Sequence, residues 1–272
     1  MIGAIIGDVI GSVFEIESTK TEDFKLFNRF SRFTDDTVLT IAIANSVLNR
    51  TQQPVPWLRS YQNANLYARS LKEYARRFPN AGYGELFIRW SGRSTLRGYR
   101  SFGNGSAMRV SSIGFAFDTL NDVLNEARLS AIVTHNHPEG IKGAQAIASA
   151  IFLARKGKDK PAIRTFLEQR FGYDLSQTLG KIRPSYTFDS SCQGSVPQAI
   201  IAFMESADFE DAIRKAISLG GDSDTLACMA GGIAQAYYKT IPTTLITETK
   251  LRLDHSLRQV IDSFNTRYGI KL

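Results

Sequence analysis

Thr34-Asp35-Asp36-Thr37 stands directly before the apolar run Val38-Leu39-Thr40-Ile41-Ala42-Ile43-Ala44, and Gly221-Asp222-Ser223-Asp224-Thr225 stands directly before Leu226-Ala227-Cys228-Met229-Ala230. Both apolar runs read as buried helices, so each acidic cluster marks a helix N-terminus. One Asp or Thr there is ordinary capping, because its side-chain oxygen satisfies a free backbone N–H. Two carboxylates at one terminus exceed that need and repel each other unless something positive neutralises them. If the fold joins the two termini, the carboxylates and hydroxyls form a hard oxygen nest suited to Mg²⁺ or Mn²⁺. Spacing alone leaves plain capping as the alternative.

Working outward, helical periodicity dominates. Leu58, Tyr61, Leu71, Tyr74 and Phe78 recur at roughly helical spacing between Trp57 and Phe78, as do Ile141, Ala144, Ala148, Ile151 and Phe152 between Glu139 and Arg155. Ile163, Phe166 and Leu167 mark a helix opened by Pro161; Ala212, Ile213, Ala216, Ile217 and Leu219 mark one that stops at Gly220-Gly221. Leu251, Leu253, Leu257, Val260, Ile261 and Phe264 mark a last helix. Alternating strands with hairpin turns are absent, as are tandem repeats and low-complexity linkers. The expectation is a single all-α domain over residues 1–272, a compact multi-helix bundle that closes on itself to join the two acidic clusters.

The composition fits that reading. With 272 residues, 43% of them hydrophobic, the chain is globular rather than disordered. Lys and Arg number 33 against 26 Asp and Glu, a net charge of +7 that suits an anionic partner. The basic residues are dispersed, and no zinc-finger spacing or RNA-binding aromatic motif accompanies them. A nucleotide-sized ligand therefore explains the charge as well as a nucleic acid does, and a solvated surface nearly as well. Cys192 and Cys228 are the only cysteines, too few for a disulfide framework, which fits a reducing compartment. The apolar stretch from Ile2 to Phe14 lacks a basic leader and carries Asp8. It reads as neither signal peptide nor membrane span, and the expected location is the cytoplasm.

Two connections are rich in glycine with an aromatic embedded: Phe78-Pro79-Asn80-Ala81-Gly82-Tyr83-Gly84 and Arg97-Gly98-Tyr99-Arg100-Ser101-Phe102-Gly103-Asn104-Gly105-Ser106. Glycine lets backbone N–H groups approach a ligand and form anion nests, and an aromatic offers a face to a base or sugar. One such loop is more often a turn around a buried ring. Two beside a metal site point to a nucleotide pocket.

Seven segments, in order, resemble the ADP-ribosylglycohydrolase family: Gly7-Asp8-Val9-Ile10-Gly11-Ser12-Val13-Phe14-Glu15, Phe33-Thr34-Asp35-Asp36-Thr37, Gly82-Tyr83-Gly84, Ser101-Phe102-Gly103-Asn104-Gly105-Ser106-Ala107-Met108-Arg109, Thr134-His135-Asn136-His137-Pro138-Glu139, Ser195-Val196-Pro197-Gln198-Ala199 and Gly220-Gly221-Asp222-Ser223-Asp224-Thr225. Each alone is weak; their order across the chain is a strong signal. The resemblance implies an all-α fold of orthogonally packed helices with a binuclear Mg²⁺ or Mn²⁺ site. It implies that Thr34, Asp35 and Asp36 bind metal from one side and Asp222, Asp224 and Thr225 from the other. Glu15 matches a glutamate implicated in acid–base work, and its bland reading is a solvated surface residue. With Glu15, Asp35 and Asp224 are the expected catalytic groups. Ser101 and Phe102 match positions contacting the pyrophosphate and adenosine side, while Gly103, Asn104 and Gly105 shape that loop. Gly82, Tyr83 and Gly84 resemble the loop around the diphosphate and distal ribose, and His135 matches a ligand-contacting histidine. His137 takes a structural reading, since imidazole nitrogens suit a hard oxygen site poorly.

The implied reaction is hydrolysis of the bond between C1 of the distal ribose and an acceptor side chain, through an oxocarbenium-like transition state. ADP-ribose is the product and an ADP-ribosylated protein or small molecule the substrate, arginine linkage preferred. Nucleic acid as such is not an expected partner, and an ADP-ribosylated nucleic acid is left open as a substrate. Loops over residues 157–193, which carry no family motif, and around residues 85–100 are expected to set which acceptor fits. Two rivals are an ADP-ribose-binding module without turnover and a two-metal hydrolase of another nucleotide-type substrate.

Overall fold

The computed structural model describes residues 1–49 and 59–271; Trp57 and Leu58, and the side chain of Tyr61, lie outside that description. Helices α1 (Ile2–Gly11), α2 (Asp35–Leu48), α3 (Arg59–Arg77), α4 (Glu85–Ser91), α5 (Gly105–Met108), α6 (Ser111–Ala116), α7 (Leu120–Ile132) and α8 (Pro138–Arg155) form the first half. The second half holds α9 (Lys160–Phe171), α10 (Leu179–Ile182), α11 (Cys192–Glu205), α12 (Phe209–Ile217), α13 (Ser223–Tyr238), α14 (Thr243–Arg252) and α15 (His255–Tyr268). No strand occurs among the described residues, only an isolated bridge between Gly103 and Ser191. No described helix is long and apolar enough to cross a membrane.

The centre of the molecule is the pair α1 and α13. Every residue of α1 is buried, and α13 is buried from Ser223 to Ala236. A helix that is apolar all round must lie inside a protein or a bilayer, and here other helices enclose it. The two approach so closely because Gly3, Gly7 and Gly11 line one face of α1. A Cβ on Gly3 would stand 2.5 Å from the Gly231 carbonyl oxygen, one on Gly11 2.5 Å from Asp224 Cα, and one on Gly7 would overlap the Ala227 carbonyl. Glycine at these positions is a packing requirement. Helices α8, α11 and α12 pack around α13, while α2 packs on α3, α6 and α15.

Local sequence explains the helix ends. Thr119, Asp159, Ser191 and Asp208 cap α7, α9, α11 and α12 with side-chain oxygens, and Gly172 in the left-handed region ends α9. The expected last helix is in fact two. Asp254 accepts hydrogen bonds from the Ser256 N–H at 2.8 Å and from its hydroxyl, so the chain restarts a helix there after Leu253. Apolar periodicity ran unbroken across this joint because Leu253 and Leu257 are both buried on the same core.

Candidate functional site

The N-termini of α2 and α13 meet, as the two acidic clusters require if they are to share a site. Thr225 Oγ1 donates to Asp36 Oδ2 at 3.0 Å across that junction. Asp8 of α1 supports it from below. Its carboxylate accepts the Thr34 N–H and hydroxyl at 3.0 and 2.6 Å, the Thr37 N–H at 3.0 Å, and the Thr37 hydroxyl. Thr34 itself accepts from Asp36 N. Asp222 receives a 2.7 Å hydrogen bond from Asn104 Nδ2, which ties the glycine-rich loop to the acidic cluster. Glu15, in the turn after α1, brings a carboxylate oxygen within 4.8 Å of oxygens of Asp222 and Asp224.

This concentration of carboxylates is electrostatically costly. Burial, then Asp8 and Asp222, pushes the Asp35 carboxyl up to about 8. Burial, then neighbouring aspartates, holds Asp36 and Asp224 well above the usual carboxylate range. Glu15 is raised by burial, Asp222 and Asp8, against a lowering influence from Arg32. Asp36 Oδ1 is buried without a hydrogen-bond partner among the described residues. A nest of oxygen donors with mutual repulsion and an orphaned lone pair fits hard divalent cations.

Above the acids opens a cleft of about 490 Å³, a size suited to a nucleotide. Thr34, Asp35, Asp36, Asp222, Asp224, Thr225 and Glu15 line it, together with Gly82, Gly84, Ser101, Gly103, Asn104, Gly105 and His135. Backbone pairing holds the second loop: Asn104 N–H donates to Ser190 O at 2.7 Å and Cys192 N–H to Phe102 O at 2.8 Å. Two expected contacts are not among the lining residues. The Tyr83 ring is buried, stacks on Phe87 and donates its hydroxyl to Phe78 O at 3.0 Å, so it supports the loop from behind. Phe102 is half exposed outside the cleft, edge-on to His137. His137 caps α8 by accepting from Glu139 N–H, a structural position.

Several lining residues had no individual role assigned from sequence. Arg109 is fully buried under the cleft, and Tyr99 forms the wall beside His135 at 6.0 Å between ring centroids. Leu86, Phe188 and Ser190 come from the two segments expected to set the acceptor, and Leu86 and Phe188 expose apolar side chains at the mouth. Asp8 carried a signal, being a lone charge within an apolar helix, which burial permits only with partners. For Phe188 no local signal exists.

Comparison with known proteins agrees along the whole chain. A family model described as ADP-ribosylglycohydrolase matches residues 1–269. The chain is 28% identical to the ADP-ribosylhydrolase ARH3 of Homo sapiens, over 88% of this chain and 84% of that protein. It is 26% identical to the ADP-ribosylarginine hydrolase Tri1 of Pseudomonas putida (strain GB-1), over 88% of this chain and 69% of that one. A solved structure of an ADP-ribosylglycohydrolase-related protein complex superposes with a TM-score of 0.66 at 25% identity, covering 100% of this chain and 96% of the other.

Proposed function

The chain belongs to the ADP-ribosylglycohydrolase family, and from that premise we propose that it hydrolyses the bond between an ADP-ribosyl C1 and an acceptor side chain, releasing ADP-ribose. The observation that carries the reading is the junction of two acidic helix N-termini at the floor of a nucleotide-sized cleft. Residues 1–272 would act as one catalytic unit. The two buried free cysteines suit a reducing, cytoplasmic setting.

Thr34, Asp35, Asp36, Asp222, Asp224 and Thr225 would hold two divalent ions, Mg²⁺ or Mn²⁺. Bound there, the ions would supply positive charge and Lewis acidity toward ribose hydroxyls and water. The chain's own residues do the rest. The Ser101–Gly105 loop and His135 seat the diphosphate end, with Gly82 and Gly84 on the facing wall. Glu15, at the acidic edge with its carboxyl raised, is suited to take a proton from the attacking water. Asp35 and Asp224 anchor the opposite helix ends against which the ribose would sit.

Arginine linkage is the preferred acceptor class. One relative bears the name ADP-ribosylarginine hydrolase; Glu85 also lines the cleft, with its carboxylate paired to Arg89. The test measures free ADP-ribose released from arginine-linked, serine-linked and polymeric substrates with Mg²⁺, Mn²⁺ or EDTA. Release from the arginine substrate, abolished by EDTA and by Asp35→Asn combined with Asp224→Asn, supports the proposal. AMP or phosphate as product would make this a phosphoesterase. ADP-ribose binding without release from any substrate would make it a binding module.

A further inference from the structure

His135 ends a hydrogen-bonded chain that begins at a buried arginine. Arg109 Nη2 donates to Ser130 O at 2.7 Å and to Thr134 Oγ1 at 2.8 Å, and Thr134 Oγ1 lies 2.7 Å from His135 Nδ1. All three side chains are buried. A guanidinium carries only donors, so Thr134 Oγ1 must accept from Arg109. The hydroxyl keeps one proton and a second lone pair, and its remaining partner among the described residues is His135 Nδ1; were Nδ1 to donate, the hydroxyl proton would be buried without an acceptor. Nδ1 is therefore the acceptor. In a neutral imidazole the ring proton must then sit on Nε2.

We propose that Arg109 and Thr134 are positioning residues that fix His135 as its neutral Nε2–H tautomer, so that the ring offers the cleft a hydrogen-bond donor. The recognised ligand atom is consequently an acceptor oxygen, such as one on a diphosphate, and not a hydroxyl proton; this part rests on the proposed function. Nε2 faces the loop that shapes the cleft, since a Cβ on Gly105 would lie 3.3 Å from it and one on Gly103 3.6 Å. The ring cannot turn freely: Gly140 backs it so closely that a Cβ there would sit 2.8 Å from His135 Cβ, and the Tyr99 ring flanks it. A doubly protonated ring is disfavoured as well. Burial and the fixed Arg109 charge hold the His135 imidazole well below its ordinary value.

The chain's three histidines make the tautomer directly readable by ¹⁵N NMR of the ligand-free protein, with His135→Asn identifying the signal. Between pH 6 and 8 the expected spectrum has an unprotonated Nδ1 and a protonated Nε2 on His135. Thr134→Val, nearly isosteric, is expected to shift that pattern and to weaken ADP-ribose binding about tenfold, the scale of one hydrogen bond to a buried polar group. Thr134→Ser keeps both hydrogen bonds and is expected to restore both readouts. Denaturation midpoints of the two variants separate this effect from loss of fold. A wild-type spectrum with the proton on Nδ1, or a Thr134→Val spectrum identical to wild type, overturns the relay whatever the substrate. The expected tautomer in a protein that binds no ADP-ribose supports the relay and overturns the functional reading instead.

Discussion

Asp8 illustrates how one side chain can organise two helices. Its four hydrogen bonds from Thr34 and Thr37 hold the start of α2 against the end of α1. Burial pushes its carboxyl up while those bonds pull it back. Asp8→Asn would turn an amide toward groups that donate, and is expected to cost about 1.5–3 kcal/mol, the range for hydrogen bonds to a charged group. Urea denaturation measures this; a midpoint equal to wild type would show that the site does not depend on Asp8. At this scale sequence is a partial guide. The acidic clusters were legible because two carboxylates at one helix start need an explanation. Tyr83 and Tyr99 both sit in glycine-rich loops, yet Tyr83 turns inward while Tyr99 walls the cleft. That difference depends on packing partners such as Phe87 and Trp90, which no local pattern specifies.

Among elements, the α1–α13 seam sets where the acids stand. Gly7→Ala would gain up to about 1 kcal/mol of intrinsic helix propensity. The added methyl would collide with the Ala227 backbone, and overpacking of this kind costs about 1–3 kcal/mol. The expected outcome is a net destabilisation, together with weaker divalent-cation binding by calorimetry because Asp224 is displaced with α13. A variant as stable as wild type would mean that the seam yields without consequence. Helices α2, α3, α8, α9, α12 and α13 were visible in sequence through apolar runs and 3.6-residue periodicity. The α14–α15 joint was not, because both sides bury leucines on one core and only the Asp254 cap divides them.

For the whole molecule, the crowded carboxylates link stability to pH. Asp35, Asp36 and Asp224 all have raised values in the folded protein. Above about pH 4 the unfolded chain releases protons that the folded chain retains. The folded state then binds more protons, so stability falls as pH rises toward about 8, where Asp35 ionises. In EDTA the melting temperature is expected to drop between pH 5.5 and 8, less steeply for Asp35→Asn. Added Mg²⁺ should raise it more at pH 8 than at pH 5.5, since ions compete with protons for the same oxygens. A wild-type slope unaffected by Asp35→Asn would remove Asp35 from this linkage.

The Thr225–Asp36 bond joins residues 189 positions apart, and the Gly3–Gln235 bond residues 232 apart. During synthesis, α1 leaves the ribosome with an apolar surface on every side and no α13 to cover it. It must wait, sheltered by helices made after it or by a chaperone, until α13 has emerged. The acidic nest is therefore completed late: a nascent chain stalled before Asp222 would carry Asp35 and Asp36 without Asp222 and Asp224.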